Sequence, residues 1–321
     1  MNSDTEERLR LYNQQVVFYH NYRNSYALTL KAIEATHLRG VPNCALITGP
    51  SGTGKSTLLN YIKFAHPAER YIQSELDKRW IIPVIMCSLP PACTVKALLK
   101  TILVGMHCEK LKGDTMDLLF RLITLLRISE VKVVLIDDFQ FLIKKDAYRT
   151  KEAVINCLVM LLDQTAIPFI LVGRDEDDIH SLYYKSCETL IYQRADLARR
   201  FPFHAKLDLL SYSNAPESEF QIVLSELDAK MYKIGDLKSG IHLGDPGISD
   251  RIYLASSGSL EHIKIITFHA LQICLKKNKC GLTKDSLAQA YALLKIKNNL
   301  NSDHNPFMIS QQHCESLITR L

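Results

Sequence analysis

The 321-residue sequence lacks several features that mark particular protein classes. No apolar run reaches the roughly 18 residues of a transmembrane helix, so no membrane partner is expected. There is no internal repeat, no low-complexity tract and no strong charge excess, because 39 basic residues stand against 34 acidic ones. This composition excludes a disordered chain and a collagen. A net charge of +5 permits nucleic-acid binding without requiring it.

Cysteine pairs at metal-binding spacing are also missing. The nine cysteines form no Cys-x-x-Cys pair, and several of them, such as Cys87 and Cys157, lie in apolar runs. This pattern is typical of buried, reduced thiols, so neither a disulfide framework nor a zinc site is expected. The N-terminal residues are acidic and polar, unlike a signal peptide, and we therefore expect a cytoplasmic protein.

Hydrophobic periodicity predicts an α/β fold followed by a helical region. Strand and helix patterns alternate as far as Leu210, which indicates a parallel sheet flanked by helices, and helical patterns follow. The predicted strands are 44–48, 81–87, 132–136, 168–172 and 204–209. The predicted helices are 94–106, 115–128, 151–164, 217–231, 249–256, 259–276 and 283–295, with Thr283 as an N-cap, and two more within 5–38 with a break near 21–24. Residues 232–248 are predicted to form a loop, and the polar tail 298–321 is expected to be mobile.

The segment after the first predicted strand has the P-loop pattern Gly-x-x-x-x-Gly-Lys-Ser. Such glycines let backbone N–H groups surround phosphate oxygens, and the next helix presents its positive N-terminus to the same anion. Lys55 is expected to reach the β- and γ-phosphates, and Ser56 to bind Mg²⁺. The sequence therefore predicts that ATP and Mg²⁺ bind here. The predicted nucleotide-binding residues of this loop are Gly49, Pro50, Ser51, Gly52, Thr53, Gly54, Lys55, Ser56 and Thr57.

Two aspartates follow the predicted strand 132–136. Asp137 is expected to hold Mg²⁺ and Asp138 to polarise the attacking water, although Asp138 could instead be a simple turn residue. Many ATPases of this type have glutamate at the second position, and aspartate is one methylene shorter. Because a misplacement of about 1 Å can cost about a hundredfold in rate, we expect slow hydrolysis.

These motifs resemble those of AAA+ ATPases of the TniB/TnsC family, which are transposition regulators that include those of CRISPR-associated transposons. The resemblance covers roughly residues 25–295. The more specific segments are 82–91, 97–103, 137–142, 167–173 and 197–201. The resemblance implies an AAA+ P-loop core with a parallel sheet and a small all-helical C-terminal lid domain. The implied domains are an N-terminal helical extension (1–40), the core (41–210), the lid (211–297) and a tail (298–321).

The resemblance also assigns roles to individual residues. Arg200 matches the arginine finger that reaches the nucleotide of a neighbouring subunit, and Arg199 is the alternative. Two positions depart from the family pattern. Arg174 stands at the sensor-1 position, where threonine or asparagine is usual, and His262 stands in the sensor-2 region, where arginine is frequent. Both are nonetheless candidates for contact with the nucleotide phosphates, His262 with charge only when protonated. Both departures favour ATP as an assembly switch with slow turnover.

Basic residues between 96 and 127 are the candidates for DNA contact. Lys96 begins a predicted helix, and Lys110, Lys112 and Thr115 lie in and just after a predicted loop. By resemblance to the family, these positions face double-stranded DNA, and lysines and hydroxyls on phosphates give affinity without base readout. A solvated helix face is the alternative.

The resemblance implies a homo-oligomer on double-stranded DNA, as a ring or helical filament with about six or seven subunits per turn. Its implied partners are a transposase and a target-selection factor of TniQ type in the bacterial cytoplasm. The alternatives are a replication-initiator or helicase-loader type AAA+ ATPase, and a motor or phosphotransferase with its own substrate. The tail, with Asn305-Pro306-Phe307, could be a hook that orders on binding a partner, or simply a disordered end.

The short side chain at position 138 yields a first prediction. Asp138→Glu should hydrolyse ATP faster than the wild type, because the longer carboxylate would reach the attacking water. A steady-state ATPase assay measures this directly, and a slower variant would contradict the idea.

Overall fold

Alternating strands and helices give the chain a parallel sheet, and a set of helices groups separately from it. The computed structural model describes residues 3–73, 78–143, 149–174, 186–277, 281–296, 300 and 304–320. Contacts divide the chain into a sheet unit, Asn21–Pro50 with Lys55–Leu207, and a helical unit, Met1–His20 with Ser51–Gly54 and Asp208–Leu321. This grouping places residues 1–20 with the C-terminal helices, whereas the domain boundaries expected from the sequence stay predictions.

The secondary-structure elements are as follows. The strands are β1 (Ala45–Thr48), β2 (Arg70–Gln73), β3 (Lys78–Ile81), β4 (Val84–Ser88), β5 (Val133–Asp137), β6 (Phe169–Val172), β7 (Phe203–Lys206), β8 (Ser239–Gly240) and β9 (Gly281–Leu282). The helices are α1 (Ser3–Asn13), α2 (His20–Arg39), α3 (Lys55–Ala65), α4 (Val95–Gly105), α5 (Thr115–Ile128), α6 (Lys151–Thr165), α7 (Cys187–Tyr192), α8 (Ala195–Ala198), α9 (Glu219–Gly235), α10 (Ile248–Ser256), α11 (Leu260–Lys276), α12 (Lys284–Ala292) and α13 (Gln311–Ile318).

The sheet unit contains a five-stranded sheet in the order β4-β5-β6-β1-β7, and every neighbouring pair is parallel. Its inner strands are buried along almost their whole length, which is typical of a sheet covered on both faces. Apolar residues of α4, α5 and α6 pack against the sheet in one continuous core. In a sheet of this kind ligands bind at the carboxyl edge, which here begins after Thr48, Ser88, Asp137 and Val172.

The predicted strand 81–87 is wrong as a single element. Pro83 has no N–H, and its carbonyl accepts hydrogen bonds from Lys132 and Val133. The chain bends there, so that β4 joins the parallel sheet while β3 pairs antiparallel with β2. Sequence patterns did not predict the hairpin of β2 and β3, because its tyrosine and tryptophan alternate with charged residues on an exposed surface.

The first two helices are present, but their predicted break near 21–24 is wrong. The break lies between Asn13 and His20, and residues 21–24 belong to α2. In the helical unit α1 packs against α11, where the Tyr12 hydroxyl donates to Thr267 Oγ1 at 2.8 Å. The predicted loop 232–248 also differs in part, because α9 continues to Gly235 and β8 pairs in parallel with β9.

The C-terminal tail is ordered between residues 304 and 320, so the prediction of a mobile tail is wrong for this part. The Asn305 amide donates to the Ala288 carbonyl at 2.8 Å, and the buried Phe307 ring meets Tyr291 edge-on. The buried Arg251 guanidinium donates to the Pro306 carbonyl at 3.4 Å and to the Gln311 side chain at 3.1 Å. The segment is therefore already packed in the helical unit, which does not fit a hook that orders only when a partner binds.

All eight described cysteines are free, and burial raises the pKa of Cys44 and of Cys87 to about 12. Thiols with a raised pKa are protonated at neutral pH and are therefore poor nucleophiles. Within the described residues, helices that are both long and apolar enough to cross a bilayer do not occur.

The packing of the tail gives a second prediction. Phe307→Ala should lower the free energy of unfolding of the helical unit by about 3 kcal/mol, because the ring is buried and the cavity cannot fully collapse. Met308→Ala is the matched control, since this neighbouring side chain is 77% exposed and its loss should change little. Urea denaturation followed by circular dichroism compares the two. Equal, negligible effects would mean that the tail is not docked.

Candidate active site

The P-loop lysine lies where the sequence predicts it. Lys55 is the first residue of α3, directly after the loop that follows β1. Its ammonium group donates to the carbonyls of Gly49, at 2.8 Å, and Pro50, at 2.5 Å, and the residue is only 7% exposed. A largely buried ammonium at the start of the helix after this loop is a point charge suited to binding phosphate oxygens.

Gly49 shows why this loop requires glycine. Its φ is +145°, a conformation that other residues rarely adopt. A Cβ atom at this position would lie 2.0 Å from the carbonyl oxygen of Leu207, so even alanine would collide with backbone. The close approach of these two segments fixes the start of the phosphate-binding loop.

The predicted Mg²⁺ ligands lie together. The Ser56 hydroxyl donates to Asp137 Oδ2 at 2.6 Å, although 81 residues separate the two in sequence. Hydroxyl and carboxylate oxygens are suitable ligands for Mg²⁺, which keeps most of its other positions for water and phosphate. No cluster of three or more His, Cys, Asp or Glu side chains that could hold a metal is found in the described part of the chain.

Asp138 is held from both sides. The Ser88 hydroxyl, at the end of β4, donates to Oδ2 at 3.0 Å, and the Gln140 amide donates to Oδ1 at 2.7 Å. The backbone of Asp138 is left-handed, with φ of 58°, and its N–H donates to Asp137 Oδ1 at 2.8 Å. Aspartate tolerates this conformation better than most residues. The turn that follows β5 thus presents the two carboxylates in different directions.

Arg174 takes part through its backbone. Its N–H donates to Gln140 Oε1 at 3.0 Å, whereas its side chain is exposed. Gln140 therefore connects the segment after β5 with the end of β6. Gln140 lies within the segment 137–142 that carries the family resemblance, but the sequence predicts no role for it.

His262 lies in the helical unit, next to the tip of the P-loop. Glu261 N–H donates to the Gly52 carbonyl at 3.0 Å, and His262 Nδ1 lies 3.3 Å from the Ser256 carbonyl. A cavity of about 170 Å³ opens beside these groups. It is lined by Ser51, Gly52, Leu209, Ser256, Ser257, Ser259, Glu261 and His262. Hydroxyls and an imidazole at a loop tip can bind an anion, whereas Glu261, which sequence reasoning did not select, opposes one.

The three arginines that flank α8, one before it and two after it, have different environments. Arg200 is buried, and its guanidinium donates to Asp163 Oδ1 at 2.9 and 2.6 Å, to Oδ2 at 2.6 Å, and to the Asp196 carbonyl. Arg194 is engaged by Glu152, at 2.5 Å, and by Asp196. Only Arg199 of the three has an exposed side chain. This geometry makes Arg200 an internal ion-pair residue and leaves Arg199 available to a neighbouring molecule.

The predicted DNA-contact residues lie at helix starts and in the loop before α5. Lys96, Lys110 and Lys112 are exposed, and Thr115 is half-buried at the first position of α5. Arg121 donates to the carbonyls of Lys110, at 2.6 Å, and Lys112, at 3.1 Å. The loop is therefore held against α5 with both lysine side chains free to face outward.

Lys96 and Thr115 lie toward the same edge of the sheet. Helix α4 follows β4, so its N-terminus, with Lys96, begins at the carboxyl edge. The Ile82 N–H donates to the Ser129 carbonyl at 2.9 Å, which places the end of α5 near the start of β4. Helix α5 therefore begins on the carboxyl side, as α4 does.

Comparisons with known proteins agree with this architecture. The model of a family described as bacterial TniB protein matches residues 8–181, just over half of the chain. A solved structure of the Aeropyrum pernix ORC2 protein in ADPNP-ADP complexes is similar, with a TM-score of 0.59 and 14% identity over 96% of this chain and 74% of that one. The Thermotoga maritima RuvB Holliday junction branch migration motor has a TM-score of 0.48 at 17% identity, covering 87% and 70% of the two chains. A structure of Drosophila ORC bound to DNA has a TM-score of 0.49 at 14% identity, covering 90% and 65%.

No curated protein matches the chain. At these low identities, the likeness to ORC2 concerns the fold alone. The family match and the parallel sheet with its P-loop agree on one assignment. The chain therefore belongs to the TniB family and has the fold of an AAA+ P-loop ATPase.

Proposed function

We propose that this chain is an ATP-dependent, DNA-binding oligomer that regulates DNA transposition and links a target-selection factor of TniQ type to a transposase. The observation that carries the proposal is the Ser56–Asp137 pair beside the enclosed Lys55, in a chain of the TniB family. ATP binding favours assembly on double-stranded DNA, and slow hydrolysis favours release.

The proposed nucleotide-binding residues form two groups of contacts. Lys55 exchanges the carbonyls of Gly49 and Pro50 for phosphate oxygens, and Ser56 and Asp137 hold Mg²⁺. Bound Mg²⁺ would neutralise the charge that develops on the transferred phosphoryl group. The ORC2 structure with ADPNP and ADP supports the idea that this fold receives adenine nucleotides.

Asp138 is the proposed general base. Hydrogen bonds from Ser88 and Gln140 hold its carboxylate in one orientation. Slow turnover is proposed because aspartate is one methylene shorter than the glutamate usual at this position, which moves the carboxylate away from the attacking water.

Arg199 is the proposed arginine finger, in place of the first choice made from the sequence. Moving the Arg200 guanidinium to another subunit would break its bonds to Asp163, whereas the Arg199 side chain is exposed. An arginine that stabilises phosphate charge across a subunit interface makes hydrolysis dependent on assembly.

DNA is held by Lys96, Lys110, Lys112 and Thr115 through its phosphates. The N-terminus of a helix carries a partial positive charge, so Lys96 and Thr115 act together with the N-termini of α4 and α5. Repetition along an oligomer multiplies these weak contacts, which explains how a chain of net charge +5 can bind DNA firmly. A replication-initiator or helicase-loader ATPase would share this core, and recovery of a replicative helicase instead of a transposase in a pull-down would favour that alternative.

Electron microscopy of the protein on double-stranded DNA tests the proposal. Rings or filaments should form with ATP or a slowly hydrolysed analogue and should dissociate as salt rises, because phosphate contacts release counterions. Lys55→Ala should not assemble, and Lys63→Ala, a change near the other end of the same helix, should assemble normally. Dispersed particles under every nucleotide condition would contradict the proposal.

The two neighbouring arginines should respond differently to truncation. Arg200→Ala should lower the free energy of unfolding by about 2–3 kcal/mol, because it leaves Asp163 and the Asp196 carbonyl without their partner. Arg199→Ala should keep wild-type stability and ATP affinity but lose DNA-stimulated hydrolysis. Mixing Arg199→Ala with Lys55→Ala subunits should restore part of the activity, since each supplies what the other lacks at a shared interface. Arg199→Ala protein with full ATPase activity would exclude it as the finger.

A further inference from the structure

Gln140 stands between the proposed general base and the position that usually carries sensor 1. We propose that Gln140 is a positioning residue for ATP hydrolysis, which holds the Asp138 carboxylate and replaces the orienting group that Arg174 does not supply. The inference rests on the proposed ATPase function and gives a role in it to a residue for which the sequence predicted none.

The orientation of the Gln140 amide follows from its partners. The Arg174 N–H can only donate, so the oxygen Oε1 must face it, at 3.0 Å. The amide nitrogen then faces Asp138 Oδ1, at 2.7 Å, where an ionised carboxylate can only accept. Rotation of the amide by 180° would set oxygen against oxygen and N–H against N–H, so the two bonds support one arrangement.

Burial makes this link stronger than a surface hydrogen bond. Gln140 is only 1% exposed, so water cannot easily replace either of its partners. A buried polar group that loses its partner is destabilised because no water replaces it, and this favours keeping both bonds closed. The Oδ1 atom of Asp138 is therefore bonded to the Gln140 amide, which is itself held by the Arg174 N–H.

The local backbone brings Gln140 back toward Asp138. The left-handed conformation of Asp138 leads directly into the short 3₁₀ helix Phe139–Leu142, and Phe139 is fully buried. The end of β6 contacts this turn. A Cβ atom on Gly173 would lie 3.4 Å from the backbone nitrogen of Gln140, at van der Waals distance. The two strand ends are therefore close enough for one glutamine side chain to connect them.

The side chain of Arg174 is exposed, so only its backbone bonds to this group. A threonine or asparagine there could orient water directly, whereas arginine is longer and carries a full charge. The polar side chain that bridges the ends of β5 and β6 is Gln140. The orienting group is therefore proposed to be Gln140, after β5, and not the side chain of Arg174, after β6.

Gln140→Met tests the proposal, because methionine has a similar size but neither bond. In the nucleotide-free protein, amide hydrogen exchange at Arg174 should become at least about tenfold faster. The kcat for ATP should fall by about ten- to a hundredfold, while affinity for a non-hydrolysable analogue changes by less than about threefold. Gln164→Met, the same change at an exposed position, should alter none of these values.

A double-mutant cycle separates positioning from a general structural effect. If Gln140 acts through Asp138, Gln140→Met should not slow a protein that already carries Asp138→Asn. Wild-type turnover by Gln140→Met, or an equal loss in the Asp138→Asn background, would overturn the proposal. Should Gln140→Met fail to fold, Gln140→Asn keeps an uncharged amide but is one methylene shorter, so it cannot hold both partners at once. It should fold and still show a reduced kcat.

Failure of the proposed function would give a different result. A folded wild-type protein that hydrolyses no ATP, with or without double-stranded DNA, would refute the ATPase and the role of Gln140 together. If wild-type turnover is present and only Gln140→Met is unchanged, the ATPase stands and Gln140 is merely a structural residue.

Discussion

The hydrogen bond between Ser56 and Asp137 is the contact on which the site depends. It joins the first turn of α3 to the end of β5, and so it fixes the P-loop against the carboxyl edge of the sheet. Strand β5 is an inner, buried strand, separated from β1 by β6. Its last residue therefore lies at the same carboxyl edge of the sheet as the end of β1. Asp138 and Gln140 follow this strand end directly, and Gln140 accepts a hydrogen bond from the Arg174 N–H at the end of β6. The order of the strands therefore determines which polar side chains meet at the site.

Local sequence signals predicted much of the fold because their physical causes are local. Asp114 and Asp117 form a reciprocal capping box, and α5 begins at residue 115 as expected. Thr283 likewise caps α12. The apolar runs that became β1, β5 and β6 are short and buried, and the pattern of a parallel sheet follows from their alternation with helices. The P-loop is predictable for the same reason, since its glycines and lysine are consecutive in the chain.

Sequence patterns are least informative where a distant partner decides. The sequence favours Arg200 over Arg199 as the arginine finger, but Asp163, 37 residues away from Arg200, binds that side chain, whereas Arg199 is exposed. The tail is polar on average, but Phe307 finds Tyr291 and Asn305 finds the Ala288 carbonyl, and these few contacts order it. Gln140 escaped notice because glutamine is chemically ordinary. Its importance arises only from burial between two strand ends, which no spacing in the sequence reveals.

The restraint on Asp138 has a consequence for how such a protein could be regulated. A carboxylate fixed between Ser88 and Gln140 is well ordered, but the groups that order it also occupy its oxygens. A movement at the end of β4 would change the Ser88 bond to Asp138, and a movement at the end of β6 would change the bond between Arg174 and Gln140. In the proposed function the P-loop holds the nucleotide, whereas the position of the base depends on the neighbouring strand ends, so binding and hydrolysis would respond to different contacts. If ATP serves chiefly for assembly, a bound but unhydrolysed nucleotide would keep the assembly intact until a partner acts.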